Sequence, residues 1–594
     1  MREPMYFQDG ADALFGWYHH AAAEKRDCVA VVCNPIGHEY THSHRSLRHL
    51  ADRLARQGVP AFRFDYHGTG DSPGSDEDPD RWGMWQRNLR AAIRTACERS
   101  GRKRVCLIGL RLGGTLATLA AREIDLDLLV LWNPCVRGKA YVRELQAIAS
   151  TSGSISSHRE GLEAAGFFLS SETVAAIQGV DLLQEKPKAG RVLLVDRDDL
   201  AGDAAFTRHL AAAGIAHDRV VAPGYAQMMA EHQFSLVPEA ALESIAHWVQ
   251  GNSGRWEGAD APASTASKIR FHCADDIEEQ LCRFGEEDQL FGILSRPVRS
   301  DGGPAVVLFN AGAVHHVGPH RLNVMLAREL AAAGFACLRF DLESLGDSVL
   351  RAPGRENHPY PPNAGADARA ALDYLQRRFG FGRFVGIGLC SGAHTAFHAA
   401  VDLDEYDLSH VLLINPLTFH WFEGLSLETS AHFRDALAYR KSMRKLDRWM
   451  KLFRGQAKLG NLCRVAFSQA KQALKSRWQS VCEALLPHYA PRLSRQLKKL
   501  FAMDRAVSLF IAEGDPGRDI LLAGARRTAM QALKNGRIRL QTFAGADHTF
   551  TRLAARQEMI HAVCDLLQDT EKGRKRVTAA NFRSGTRRLA SQSA

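Results

Sequence analysis

Residues 385–397 read VGIGLCSGAHTAF. A run of small apolar residues leads into a Gly-rich bend and then an Ala-rich run, the pattern of a strand, a sharp turn and a helix. Gly388 and Gly392 flank Cys390 in a G-x-C-x-G frame. This is the frame of a nucleophile elbow, where the central residue is held in a strained backbone conformation and side chains beside it would strike the adjoining strand and helix. It centres on Cys390 rather than on Ser391.

Working outward, the chain aligns with itself at one recurring offset. Leu14-Phe15-Gly16 matches Leu290-Phe291-Gly292, Asn34 matches Asn310, and His44-Arg45 matches His320-Arg321. Arg63-Phe64-Asp65 matches Arg339-Phe340-Asp341, and Gly70-Asp71-Ser72 matches Gly346-Asp347-Ser348, every pair 276 residues apart. Gly109-Leu110 then answers Gly388-Leu389, and Asn133-Pro134 answers Asn415-Pro416, at offsets that grow as loops differ. A set of matches held in register means two copies of one fold. Within each copy apolar strands alternate with amphipathic helices, which predicts an α/β fold with a mostly parallel sheet flanked by helices. The expected organisation is a first domain over 1–250, a polar linker over 251–268 and a second domain over 269–570. A helical basic cap is expected at about 421–505 and a disordered basic tail at 571–594.

At 594 residues the chain exceeds what one hydrophobic core supports. With 45% apolar and 24% charged residues it reads as an ordinary globular protein. Its apolar runs are strand-sized, too short to span a membrane, and no secretory signal is visible at Met1. The 12 cysteines form no CxxC pairs, which argues against a disulfide framework or zinc site and for reduced thiols in the cytoplasm. No metal or cofactor is called for. The net charge of +10 is local: residues 431–505 hold 18 Lys+Arg against 4 Asp+Glu, and the stretch after Glu571 holds 7 basic residues and no acidic ones.

This order of elements resembles the α/β-hydrolase superfamily, in its serine-aminopeptidase-like branch of esterases, thioesterases and acyl hydrolases. The first copy, with NPIGHEYTHSHR, FRFDYHGTGDS, GLRLGG and GYAQMM, is similar to exosortase-A-associated hydrolases encoded with exopolysaccharide genes. Dienelactone hydrolases and polyhydroxyalkanoate synthases share the G-x-C-x-G substitution, a likeness confined to the elbow.

The superfamily order is nucleophile, acid, histidine. After Cys390, SLFIAEGDPG sets Asp515 in the turn following an apolar strand, and RLQTFAGADHTF sets His548 in the turn after the last strand. All three thereby come to the carboxyl ends of strands, where open α/β sheets build their sites. His548 takes the Cys390 proton, or holds it in a thiolate–imidazolium pair, and Asp515 fixes the imidazole tautomer. The Ser391 N–H, with a second from Ala311 or Gly312, is expected to form the oxyanion hole. Asp547, His394 and His398 read as structural neighbours. A thiolate attacks esters and thioesters and leaves readily, so the expectation is acyl hydrolysis or transfer. The competing reading is a pair of degenerate domains serving binding or recruitment.

In the first copy the elbow centre is Arg111, which is permanently protonated and no nucleophile. Asp198 or Asp199 and His232 stand near the places of acid and histidine, and Pro35 stands opposite Ala311. Arg111 is expected either to salt-bridge a neighbouring acid or to bind a carboxylate or phosphate. The copy would then position substrate or partner, or mediate homodimer contacts. The basic cap, with its stripe of Met443, Leu446, Trp449, Met450 and Phe453, reads first as a lid. It reads second as a docking rim for an acidic acyl-carrier protein or CoA, and third as a peripheral membrane contact. Nucleic acid is excluded because no binding fold accompanies the charge.

Overall fold

The apolar runs Cys28–Cys33 and Ala305–Phe309 are buried at every position, as parallel strands must be when helices cover both faces of a sheet. The computed structural model describes all residues except 11, 23, 152–159, 259–269, 275, 300–301, 352–353, 423–489 and 591–594, and the side chains of 12 and 575–590.

Among the described residues the first copy contributes β1 (Arg2–Asp9), β2 (Asp12–His19), β3 (Cys28–Cys33), β4 (Ala61–Phe64), β5 (Arg104–Leu110), β6 (Leu126–Trp132), β7 (Gly161–Ala164), β8 (Phe167–Ser170), β9 (Ala189–Arg197) and β10 (His217–Ala222). Its sheet runs β1-β2-β4-β3-β5-β6-β9-β10, antiparallel as far as β4 and parallel beyond it, while β7 and β8 form a separate hairpin. The second copy contributes β11 (Arg270–Ala274), β12 (Ile277–Phe284), β13 (Leu290–Pro297), β14 (Ala305–Phe309), β15 (Cys337–Phe340), β16 (Arg383–Leu389), β17 (Asp407–Ile414), β18 (Ala506–Ala512) and β19 (Ile538–Phe543). They run β11-β12-β13-β15-β14-β16-β17-β18-β19, with the same antiparallel start and parallel remainder.

The repeated residues do identical work inside each copy. Asp65 accepts the Asp71 amide at 2.9 Å, and Ser72 Oγ donates to the Asp65 carbonyl at 2.6 Å while accepting the Phe15 amide at 3.0 Å. In the second copy Asp341 accepts the Asp347 amide at 2.9 Å, and Ser348 Oγ bridges the Asp341 carbonyl at 2.6 Å and the Phe291 amide at 3.0 Å. They also work across the copies. Arg339 donates to Asp71 at 3.1 Å and Arg63 donates to Asp347 at 2.8 Å, a reciprocal exchange of equivalent pairs. All four side chains are buried. Phe15 and Trp17 pack against Phe291, with Trp17 at 4.6 Å between ring centroids, in an apolar cluster shared by β1, β2, β12 and β13. The two copies therefore face each other through a pseudo-twofold interface that buries two reciprocal ion pairs and an apolar cluster.

Three boundary expectations change. The linker begins later than 251, because Ser253 Oγ meets Cys28 Sγ at 3.0 Å and the Trp256 amide donates to the Lys25 carbonyl, pinning this stretch to the first copy. The cap expected over 421–505 lies outside the described residues between 423 and 489. Its second basic run is instead the helix Arg492–Ala502, whose Leu493, Leu497 and Leu500 are buried in the domain core. A helix is needed there because parallel β17 and β18 can be joined only by a crossover. The stretch expected as a disordered tail continues the helix Leu553–Ala590 through residue 590, and Arg383 pairs with Glu571 at 2.7 Å near its midpoint. Among the described residues no helix is long and apolar enough to cross a membrane.

Candidate active site

Cys390 sits between β16 and the helix Ser391–Asp402 with φ 59° and ψ −116°. Such a conformation costs about 1–3 kcal/mol in a non-glycine residue and persists only where the surroundings impose it. The flanking glycines show how it is imposed. A Cβ on Gly388 would lie 2.1 Å from the Gly392 carbonyl, and a Cβ on Gly392 would lie 2.7 Å from the Asn310 carbonyl. Any side chain at either place would push the helix off the strand.

Asp515 and His548 reach the same end of the sheet from the turns after β18 and β19. His548 Nδ1 donates to Asp515 Oδ2 at 2.6 Å, and Asp515 Oδ1 accepts the Gly517 amide at 3.1 Å. The carboxylate thus fixes the imidazole with its proton on Nδ1 and leaves Nε2 free to face Cys390. Asp515 is almost fully buried. Burial disfavours charge on His548, but the Cys390 thiolate, the Asp515 bond and a Cys390 contact outweigh it and raise the imidazole to about 10. Nε2 has no partner of hydrogen-bond geometry among the described residues. Cys390 is the neighbour that most favours the charged imidazole.

Asn415 is a contributor that sequence reading identified only as a repeat match. Its Nδ2 donates to the His548 carbonyl and its Oδ1 accepts the Ala512 amide, both at 2.8 Å, so one amide ties the acid strand to the histidine loop.

The oxyanion loop departs from expectation at one position. The Gly312 amide donates to Ser391 Oγ at 2.8 Å and is not a free donor. The hydroxyl beside Cys390 folds back over the loop and takes it. The Ser391 and Ala311 amides have no acceptor among the described residues, which leaves them as the available pair.

Tyr360, from the loop before the helix Ala364–Phe379, escaped notice because no periodicity marks it. It is 5% exposed, and its hydroxyl has no partner among the described residues. Burial and then the Cys390 charge hold the phenol protonated, well above the ordinary tyrosine range. Its ring stacks on Trp421 at 4.2 Å and meets His394 edge-on at 5.4 Å. Burial, followed by neighbouring His398, lowers His394 to about 3, so this wall is neutral. His398 Nε2 donates to the Phe419 carbonyl at 2.9 Å, and its Nδ1 lies 3.5 Å from Asp402 on the same helix. Asp547 accepts the Thr551 amide at 2.7 Å, a turn-forming role.

In the first copy Arg111 occupies the elbow with φ 53° and ψ −122°, the same strained backbone as Cys390. Its guanidinium donates to Glu39 at 2.6 Å and to Glu144 at 2.5 Å, below a cavity of about 310 Å³. Two carboxylates already match its charge, so the expectation of an anion-binding Arg111 is withdrawn. Asp199 pairs with Arg197 at 2.7 Å, and His232 stacks on His42 at 4.3 Å. Three residues beyond the glycine after the last strand, where His548 stands relative to Gly545, the first copy has Gln227 relative to Gly224.

Comparison with known proteins finds one family model in each copy. A serine aminopeptidase (S33) family model matches residues 30–188, and an α/β hydrolase family model matches residues 303–562. No curated protein matches the chain. Similar solved structures include Est1E from Butyrivibrio proteoclasticus, at 19% identity over 42% of this chain and 98% of that one, with a TM-score of 0.32. Proline iminopeptidase from Mycobacterium smegmatis is 12% identical over 42% and 98%, with a TM-score of 0.32. An α/β serine hydrolase homologue from Coxiella burnetii is 16% identical over 42% and 96%, with a TM-score of 0.29.

Proposed function

We propose, from the premise that the chain is two α/β-hydrolase domains in tandem, that the second domain hydrolyses or transfers an acyl group from an ester or thioester through Cys390, His548 and Asp515. One observation carries the reading. The imidazole of His548 is bound by Asp515 at 2.6 Å, at the same end of the sheet as the sulfur of Cys390 at the centre of a strained elbow.

In the proposed reaction the Cys390 thiolate attacks the acyl carbon and forms a C–S bond. The negative charge that moves to the carbonyl oxygen is met by the Ser391 and Ala311 amides, each such donor being worth about 3 kcal/mol. Tyr360, protonated and with no partner for its hydroxyl among the described residues, donates a further hydrogen bond to that oxygen. Collapse breaks the bond to the leaving alcohol or thiol, which takes the Nε2 proton of His548. Water, or an alcohol, amine or thiol acceptor, then gives a proton to His548 and attacks the thioester, releasing Cys390. The neutral aromatic wall of Tyr360, Trp421 and His394 favours an uncharged acyl group.

The first domain is proposed to be non-catalytic, since its elbow holds an arginine bound by Glu39 and Glu144. Docking of an acyl-carrier protein or CoA on basic surface, and a setting in polysaccharide or acyl-carrier-linked biosynthesis, follow from charge and resemblance. Turnover of short acyl thioesters by the full chain tests the chemistry. Cys390→Ala should abolish it with the fold intact by circular dichroism, and full activity in that variant would remove the proposal.

A further inference from the structure

Both loops that build the second domain's site are held from outside that domain. His316 closes the loop that starts at Asn310 and carries the Ala311 amide. Its Nδ1 meets Asp341 and its Nε2 meets Asp71 of the first domain, each at 2.7 Å. Its own amide donates to Asp341 at 2.6 Å, and Asn310 Nδ2 donates to the same carboxylate at 3.0 Å. His316 and both carboxylates are buried. Arg321 grips the Asp71 turn by its backbone, donating to the carbonyls of Gly70 at 2.8 Å, Gly74 at 2.6 Å and Ser72.

The second hold is on the histidine side. The hairpin of β7 and β8 reaches from the first domain to the segment after His548. Glu163 accepts the Leu553 amide at 2.7 Å, and the Gly166 carbonyl accepts from Arg556 at 3.0 Å. Phe167 packs edge-on against His320 at 5.8 Å, and His320 in turn meets the hydroxyls of Thr549 and Thr551 at 3.3 Å. Gly166 has φ 82°, and a Cβ there would lie 2.3 Å from His320 Nδ1, so the hairpin tip is shaped to this contact.

We propose that the first domain, having no nucleophile, is a brace for the second: its Asp71 turn fixes the oxyanion loop 310–316 through His316, and its hairpin 161–170 fixes the segment 548–556 that carries His548. The site is then incomplete without the first domain. Asp71, Glu163 and Phe167 are positioning residues that act through others. The inference rests on the reading of Cys390 and His548 as the reacting pair for what is braced, whereas the bracing itself has a readout free of catalysis.

The test uses the full chain. In Asp71→Asn, hydrogen exchange followed by mass spectrometry should quicken at least tenfold in 310–318 and remain unchanged in 546–556; in Phe167→Ala and Glu163→Ala the pattern should reverse. A functional split follows. Asp71→Asn should lower kcat for a short acyl thioester tenfold or more, because acylation needs the oxyanion donors. Alkylation of Cys390 by iodoacetamide displaces iodide without an oxyanion and should stay within twofold. Unchanged exchange in both segments, or equal losses in acylation and alkylation, overturns the proposal. If Asp71→Asn does not fold, Glu163→Ala, which removes the acceptor of the Leu553 amide at a partly exposed position, decides on exchange alone. Altered exchange in a protein whose wild type turns over no acyl donor would uphold the brace and reject the catalytic reading.

Discussion

Replacing Asp515 by Asn keeps the shape of the acid and its bond to the Gly517 amide, and changes only what faces His548. The imidazole is raised from its ordinary 6.5 to about 10 against the opposing effect of burial, a preference for the charged form of roughly 5 kcal/mol. The Cys390 thiolate supplies the largest raising share and the Asp515 bond the next. A hydrogen bond to a charged group is worth about 1.5–3 kcal/mol, so its loss should lower the midpoint by about one to two pH units. The Asn amide would also donate to Nδ1 and force the neutral ring into the tautomer that cannot accept the thiol proton. The direction is definite: the imidazolium that protonates the leaving group is lost as pH rises through its midpoint. The alkaline limb of kcat/KM for a thioester should therefore move from about pH 10 to about 8–9, with kcat down by about 100-fold or more. Alkylation by iodoacetamide, which needs no leaving-group proton, should show no such limb. An alkaline limb that stays in place in a folded Asp515→Asn protein would refute the argument.

Tyr360→Phe should slow acylation by about tenfold while leaving the thermal midpoint unchanged or higher, because it deletes a buried hydroxyl that has no partner among the described residues; paired kinetics and melting curves check both halves. Arg111→Ala should destabilise the first domain by about 3–5 kcal/mol, since it leaves Glu39 buried without its cation, as denaturant unfolding would measure. Arg111→Cys should gain no acyl turnover, because Gln227 stands in the histidine's place and Glu39 remains in the pocket.

The tandem fold was legible because strand patterning and the matching residues are local and keep their order. Cys390, Asp515 and His548 each stand at the end of an apolar strand, and the bond from His548 to Asp515 joins two turns that only chain order links in the sequence. What the repeats were for was less legible. Arg63, Asp71, Arg339 and Asp347 stood out as matches, yet nothing in one chain's register says that each arginine pairs with the other copy's aspartate. Tyr360 lies in an irregular loop and becomes significant only by its burial beside sulfur. Gly312 had the right position for an oxyanion donor, but whether its amide is free depends on the rotamer of Ser391. The helix Arg492–Ala502 carries the basic amphipathic pattern of a surface element, and only its place between β17 and β18 shows that its apolar stripe belongs to the core.

The most direct measurement is the mass of the protein quenched in acid milliseconds after mixing with an acyl thioester, followed by peptide mapping. The account predicts a single added acyl group on the peptide that contains Cys390, absent from Cys390→Ala. An unmodified wild-type mass under conditions of turnover, or an adduct that survives that substitution, would contradict it.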